Sequence, residues 1–265
     1  MNKTTIRNLI QADIITMNGG KNNLRFTMIL MLMIFGSMGF LLSPLMGLYC
    51  PLMLGGFFVP MLFQNEMKYH SEKMFSLIPI SRKELVTSRF LLTIGLYTVC
   101  DLIFYLLMLL SLNLKIYRKI TDTIDIIGYI VKKSEGSFTE LGFLNLCYFA
   151  AFAIGLIVST NALRMYFRDS ELFAATFSII PKTKKMPLKN YIPAILIILA
   201  IFIFFLIITG IIPIGTAMLV ILQLFIQLAE AADGFLLGAM LIAIAVMEAV
   251  YHYICTVLEY DQKDL

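Results

Sequence analysis

Thirty-eight consecutive residues, Phe26 to Phe63, contain no Asp, Glu, Lys or Arg, and a second charge-free run of thirty-nine extends from Tyr191 to Ala229. A helix needs about 20 predominantly apolar residues to cross the hydrocarbon core of a bilayer. Each run is therefore long enough for more than one crossing. Composition agrees: 60% of residues are hydrophobic and 14% charged, against about a quarter charged in soluble domains. Such a chain has too little polar surface to cover a soluble core. The alternating pattern of a membrane β-barrel is missing. The class is an all-α, polytopic membrane protein.

The first 25 residues are polar, with Lys3, Arg7, Asp13, Lys21 and Arg25, and do not read as a cleaved signal peptide. Ile6, Leu9, Ile10, Ile14 and Met17 recur at helical spacing, which predicts an amphipathic helix along the inner interface. Spans one and two occupy 26–63, turning at Ser43-Pro44, with Pro51, Gly55, Gly56 and Pro60 making the second irregular. Membrane helices buried in protein tolerate such residues. Span three runs from about Phe90 to Leu112, and span four from about Leu141 to Leu163. A basic stretch, 164–190, follows, and the last span covers about Gly234–Val257 before an acidic tail. Cys50, Cys100, Cys147 and Cys255 all fall within apolar runs and read as packing hydrophobes rather than a disulfide framework or zinc site.

With the N-terminus in the cytoplasm, sixteen Lys and Arg lie inside and five outside, as the positive-inside rule requires. The outside five fall in 113–140. There Ile116, Ile120, Ile124, Ile127 and Val131 recur at helical spacing, consistent either with an amphipathic helix on the outer surface or with a solvated loop. Residues 191–229 leave two topologies open. Two full spans give seven in all; one span plus a partial entry by 211–230 gives six.

The segment between spans two and three carries the most specific pattern, Glu72-Lys73-Met74-Phe75-Ser76-Leu77-Ile78-Pro79-Ile80-Ser81-Arg82-Lys83-Glu84-Leu85-Val86-Thr87-Ser88-Arg89-Phe90. Ser81-Arg82-Lys83-Glu84 is a capping box: the Ser81 hydroxyl accepts from the Glu84 amide and the Glu84 carboxylate reaches back. It predicts a helix that starts in water and runs on into span three. Pro79 disfavours helix at Ile78, so a separate short helix, about Glu66–Leu77, ends there. A capped connecting loop is the plainer alternative.

This stretch resembles the segment after the second span of ABC-2 type transporter permeases, and Ile6-Arg7-Asn8-Leu9-Ile10-Gln11-Ala12-Asp13 resembles that family's N-terminal interfacial helix. The resemblance is specific over about 25 residues and extends as span layout over the whole chain. It implies one transmembrane domain over 1–265: interfacial helix 1–25, spans 26–63, coupling segment 64–89, spans three and four in 90–163, and basic loop 164–190. Spans five and six would occupy 191–257, with 211–230 re-entrant, and 258–265 would form a cytoplasmic tail.

By the same resemblance Glu66, Glu72, Lys73, Met74, Phe75 and Leu77 would contact an ATPase subunit. Pro79, Ser81, Arg82, Lys83 and Glu84 would form the corner. The partners implied are two copies of an ABC ATPase, a second permease copy and the lipid bilayer of a bacterial cytoplasmic membrane, with no nucleic acid. The chain is not expected to be an enzyme or to bind a cofactor. Gly19-Gly20-Lys21 lacks the leading Gly and the Ser/Thr of a phosphate loop, so ATP and Mg would sit on the partner.

Asp101 in span three and Glu248 in the last are ionisable groups at membrane depth, which makes them candidates for a translocation path. Protonation, a neighbouring hydroxyl or a cavity would equally accommodate them. Glu248 and His252 lie one turn apart. The resemblance implies an exporter. No hydrophilic pore lining is visible, so the expected cargo is hydrophobic or amphipathic, with antimicrobial or toxin peptides foremost. An ion-coupled carrier using Asp101 or Glu248 is the alternative, disfavoured by the lack of an inverted repeat.

Overall fold

The computed structural model describes residues 3–18, 80–115, 139–169 and 234–262, together with Phe173 and scattered positions between 29 and 63. The short helix expected over 66–77, with Glu66, Glu72, Lys73, Met74, Phe75 and Leu77, lies outside the described residues. So do Pro79, most of the outer loop, Lys182 to Lys189 and the run 191–229. The chain divides into two compact units, 1–178 with 229–265, and 179–228; the second lies wholly outside the described residues.

Four helices are described in full: α1 (Lys3–Asn18), α2 (Arg82–Leu114), α3 (Glu140–Arg168) and α4 (Phe235–Asp261). No strand occurs among the described residues. The last three helices are long and apolar enough to cross a membrane. At 1.5 Å per residue the 33 residues of α2 span about 50 Å, well beyond the roughly 30 Å of hydrocarbon. Its charged first turns therefore project past the apolar layer.

Local signals set the helix starts. The Ser81 hydroxyl accepts from the Glu84 amide at 3.3 Å, with Ser81 itself extended, so α2 begins at the residue the capping pattern predicts. Thr139 caps α3 by accepting from the Gly142 amide at 2.9 Å. Gly234 heads α4 in the left-handed region, φ 79°, where a side chain would be strained. A Cβ there would also meet the Gly142 carbonyl oxygen at 2.6 Å.

The helices pack through one stripe each. On α2 the stripe is Phe90, Thr93, Tyr97, Cys100, Phe104, Met108 and Ser111, all buried, while Leu91, Val99, Leu102, Leu106 and Leu110 are exposed. A helix apolar on both faces belongs in lipid. α2 and α3 run antiparallel: Arg89 meets Tyr166, Tyr97 meets Phe152 and Tyr105 meets Asn145. α3 and α4 run parallel. Phe149 stacks near Phe235 at their starts, 5.5 Å between centroids, and Phe167 near Tyr260 at their ends, 5.1 Å. Of the small residues of α4 and its cap, Gly234, Gly238, Ala245 and Ala249 are buried, with Gly234 and Gly238 against α3, while Ala239 and Ala243 are exposed.

Span two contributes Pro51, Leu54, Val59, Leu62 and Phe63 to the core. It comes so close to α3 that a Cβ on Gly55 would lie 2.5 Å from the Gly155 Cα. The Tyr97 hydroxyl fits between the carbonyls of Pro51 and Phe152, at 3.3 and 3.1 Å. Ser111 donates to the Phe40 carbonyl at 2.9 Å at the opposite end of α2 from Ser81.

Candidate functional site

Polar side chains concentrate at the end of the bundle where α2 starts and α3 and α4 finish. Arg89, two turns into α2, is 1% exposed. Its guanidinium donates to the Tyr166 hydroxyl at 3.0 Å. It also faces the rings of Phe63, Tyr166 and Phe167, with centroids 4.8, 5.5 and 5.7 Å away. Its Nε lies 3.8 Å from Asp13 Oδ2 on α1. A charge this deep requires compensation, and the compensating groups come from α1, span two and α3 together. Ile6 and Leu9 are buried and Ile10 and Ile14 half-buried on the same face of α1 as Asp13.

At the start of α2, two turns before Arg89, Arg82 turns inward. Its Nη1 donates to the backbone carbonyls of Tyr260 and Asp261, both at 3.0 Å, and the guanidinium sits 5.8 Å from the Tyr260 ring centroid. The last carbonyls of a helix have no partner within it and carry the negative end of its dipole. A guanidinium there caps α4 from another helix. Thr87 and Tyr253 share a hydrogen bond of 2.9 Å, and the Phe90 ring meets Tyr253 edge-on at 5.5 Å. Arg164 of α3 and Glu259 of α4 form an ion pair at the same end. Lys83 is exposed and Glu84 half-buried.

The two intramembrane acids sit differently. Asp101 is 1% exposed, in the packing of α2 against α3, and the Tyr148 hydroxyl donates to its backbone carbonyl. Glu248 is exposed, on the face of α4 that also presents Ile244, Met247 and Tyr251. The structure does not bring the two together with the corner residues. Among the described residues no group of three His, Cys, Asp or Glu is placed to hold a metal ion.

The family model described as "ABC-2 family transporter protein" matches residues 8–166, from α1 nearly to the end of α3. The chain belongs to the ABC-2 transporter family. No curated protein and no solved structure matches it. As an ABC-2 protein it is a membrane permease subunit of an ABC transporter, a transport subunit without a nucleotide-binding domain of its own. The family implies association with an ABC ATPase.

Two parts of this ABC-2 site escaped the sequence reading. The cage of Phe63, Tyr166 and Phe167 around Arg89 draws on two segments far apart in sequence from each other and from α2. Its one usable signal was Asp13, an acid on the apolar stripe of an amphipathic helix, where a buried cationic partner is the economical explanation. The inward turn of Arg82 had no sequence signal, because a corner arginine serves equally well pointing at water.

Proposed function

We propose that this chain is the permease subunit of an ATP-driven exporter, present in two copies, with a homodimer preferred, and moved by two ATPase subunits that dock on the segment before Ser81. Glu66, Glu72, Lys73, Met74, Phe75 and Leu77 form the docking surface, and Pro79, Ser81, Arg82, Lys83 and Glu84 the corner. ATP and Mg bind the partner. The cargo is hydrophobic or amphipathic, an antimicrobial or toxin peptide, and leaves the cell across the bacterial cytoplasmic membrane.

One observation carries this reading: α2 begins at a capped corner bearing Arg82, Lys83 and Glu84 and continues without a break as a helix long and apolar enough to cross a membrane. A displacement of the corner by a soluble partner therefore becomes a tilt of that span, and a packed bundle answers such a tilt by switching between discrete arrangements. Six spans suit the helix order better than seven. The parallel order of α3 and α4 supports one full span plus a re-entrant 211–230 over two full spans. Sixteen basic residues against five put the Arg89 end in the cytoplasm.

Affinity purification of the chain from its native host in mild detergent tests the reading. A stoichiometric ATPase should accompany it and be lost when Phe75→Ala is combined with Glu72→Lys. Recovery of the intact chain without an ATPase, under conditions that hold other ABC transporters together, would remove the basis for coupling at 64–89. It would return attention to ion coupling through Asp101 or Glu248.

A further inference from the structure

We infer that Arg82 is a positioning residue that delivers the movement of the corner directly to the last membrane helix, so that α4 is driven through its terminal carbonyls as well as through the contact of Tyr253 with Thr87 and Phe90. The inference rests on the proposal that an ATPase acts on the segment leading into Ser81. It adds a second outlet for that stroke.

Arg82 is the first helical residue of α2 and sits beside the Ser81 cap. Its two 3.0 Å hydrogen bonds reach carbonyls 178 and 179 positions away in sequence, and they join the start of one membrane helix to the finish of another. The carbonyls are the terminal ones of α4, at the negative end of its dipole. Hydrogen bonds from a charged group are roughly twice as strong as neutral ones, so the link is stiff for its size. Tyr260, which supplies one of the carbonyls, is 8% exposed. It is held by the Phe167 ring on one side and lies under the Arg82 guanidinium on the other.

The joint also lies at the end of a long lever. α4 is fixed to α3 near its start by the close approach of Gly234 to Gly142 and of Gly238 to Phe149. It is fixed to α2 about two turns inside its far end by Tyr253 on Thr87 and Phe90. Pulling on the Tyr260–Asp261 carbonyls therefore rotates the last helix about its packed first half. Arg164–Glu259 and Phe167–Tyr260 carry the same displacement into α3. The ends of the three helices are tied at one place, and Arg82 is the tie that lies beside the cap.

Hydrogen exchange read by mass spectrometry on the intact permease–ATPase complex tests this, comparing the nucleotide-free state with the state trapped by ATP and vanadate. Two regions are followed, the corner peptide around 80–90 and the last turns of α4 around 253–262. In the native chain trapping should change exchange in both. In Arg82→Met, which keeps the aliphatic stem and loses the guanidinium, the change at the corner should persist and the change in the last turn of α4 should be clearly smaller than in the native chain. Arg82→Lys retains a cationic donor able to reach one carbonyl and should keep part of the α4 response. It also supplies the comparison if the Met variant fails to assemble. An α4 response of native size in Arg82→Met, or in Arg82→Lys no response in α4 while the corner still responds, would overturn the inference. Silence at the corner of the native complex would instead overturn the coupling proposal beneath it.

Discussion

Replacing Asp13 by Ala isolates the contribution of the buried pair to the docking of α1. The Arg89 guanidinium is 1% exposed and the Asp13 carboxylate lies 3.8 Å from its Nε. At an effective dielectric of about 20, two unit charges at that separation attract by about 4 kcal/mol. Removing one member of a buried pair in soluble proteins costs about 3–5 kcal/mol, since the survivor stays buried with its charge less compensated. The two routes agree.

The three aromatic rings and the Tyr166 hydroxyl still hold the guanidinium after the substitution, but none of them belongs to α1. What then retains α1 is mainly Ile6 and Leu9, about 1.5–3 kcal/mol each when fully buried. Amide exchange across 3–18 should accelerate by about three orders of magnitude, one for each 1.4 kcal/mol. The assay is hydrogen exchange with mass spectrometry on the chain in detergent. Asp13→Asn should fall between, and Asp13→Ala combined with Arg89→Met should recover part of the loss, because the uncompensated charge leaves as well. Unchanged exchange in Asp13→Ala, or a double variant as damaged as the sum of the singles, would refute the reasoning.

Gly155→Ala should lower the melting temperature in detergent and reduce the well-folded fraction. Its methyl would lie 2.5 Å from the Pro51 carbonyl oxygen and against the Tyr97 hydroxyl, and overpacking of this kind costs about 1–3 kcal/mol. Glu259→Gln should cost less than about 1 kcal/mol despite removing an ion pair, because the two side chains are 23% and 34% exposed. That small difference in melting temperature should shrink further in high salt. Glu248→Leu should leave thermal stability within about 0.5 kcal/mol of native, since the side chain is on the exposed face of α4. A pronounced loss of stability there would contradict the outward placement.

Much of the polar end was legible before any coordinates. The start of α2 followed from Ser81 and Glu84, three positions apart, because a capping interaction closes within one turn and depends on almost nothing else. The amphipathic face of α1 followed from the spacing of Ile6, Leu9, Ile10 and Ile14 for the same reason. The ends of α3 and α4 were less legible. Hydropathy placed them at Leu163 and Val257, whereas the helices continue to Arg168 and Asp261. A scan for apolar residues stops where the lipid stops, while helical hydrogen bonding continues into the polar layer.

By itself the sequence determined the membrane class, the places where helices must start, and which residues share a face. Those properties depend on desolvation of the backbone and on contacts within a few residues. Tertiary structure alone decided the partners: Arg89 with Asp13, Arg82 with the carbonyls of Tyr260 and Asp261, Gly55 against Gly155, and the parallel order of α3 and α4. Helical period assigns a charged side chain to a face, but not to the water, lipid or helix end that face will meet. Only the packing of helices distant in sequence brings the Arg82 guanidinium to a carbonyl 178 positions away.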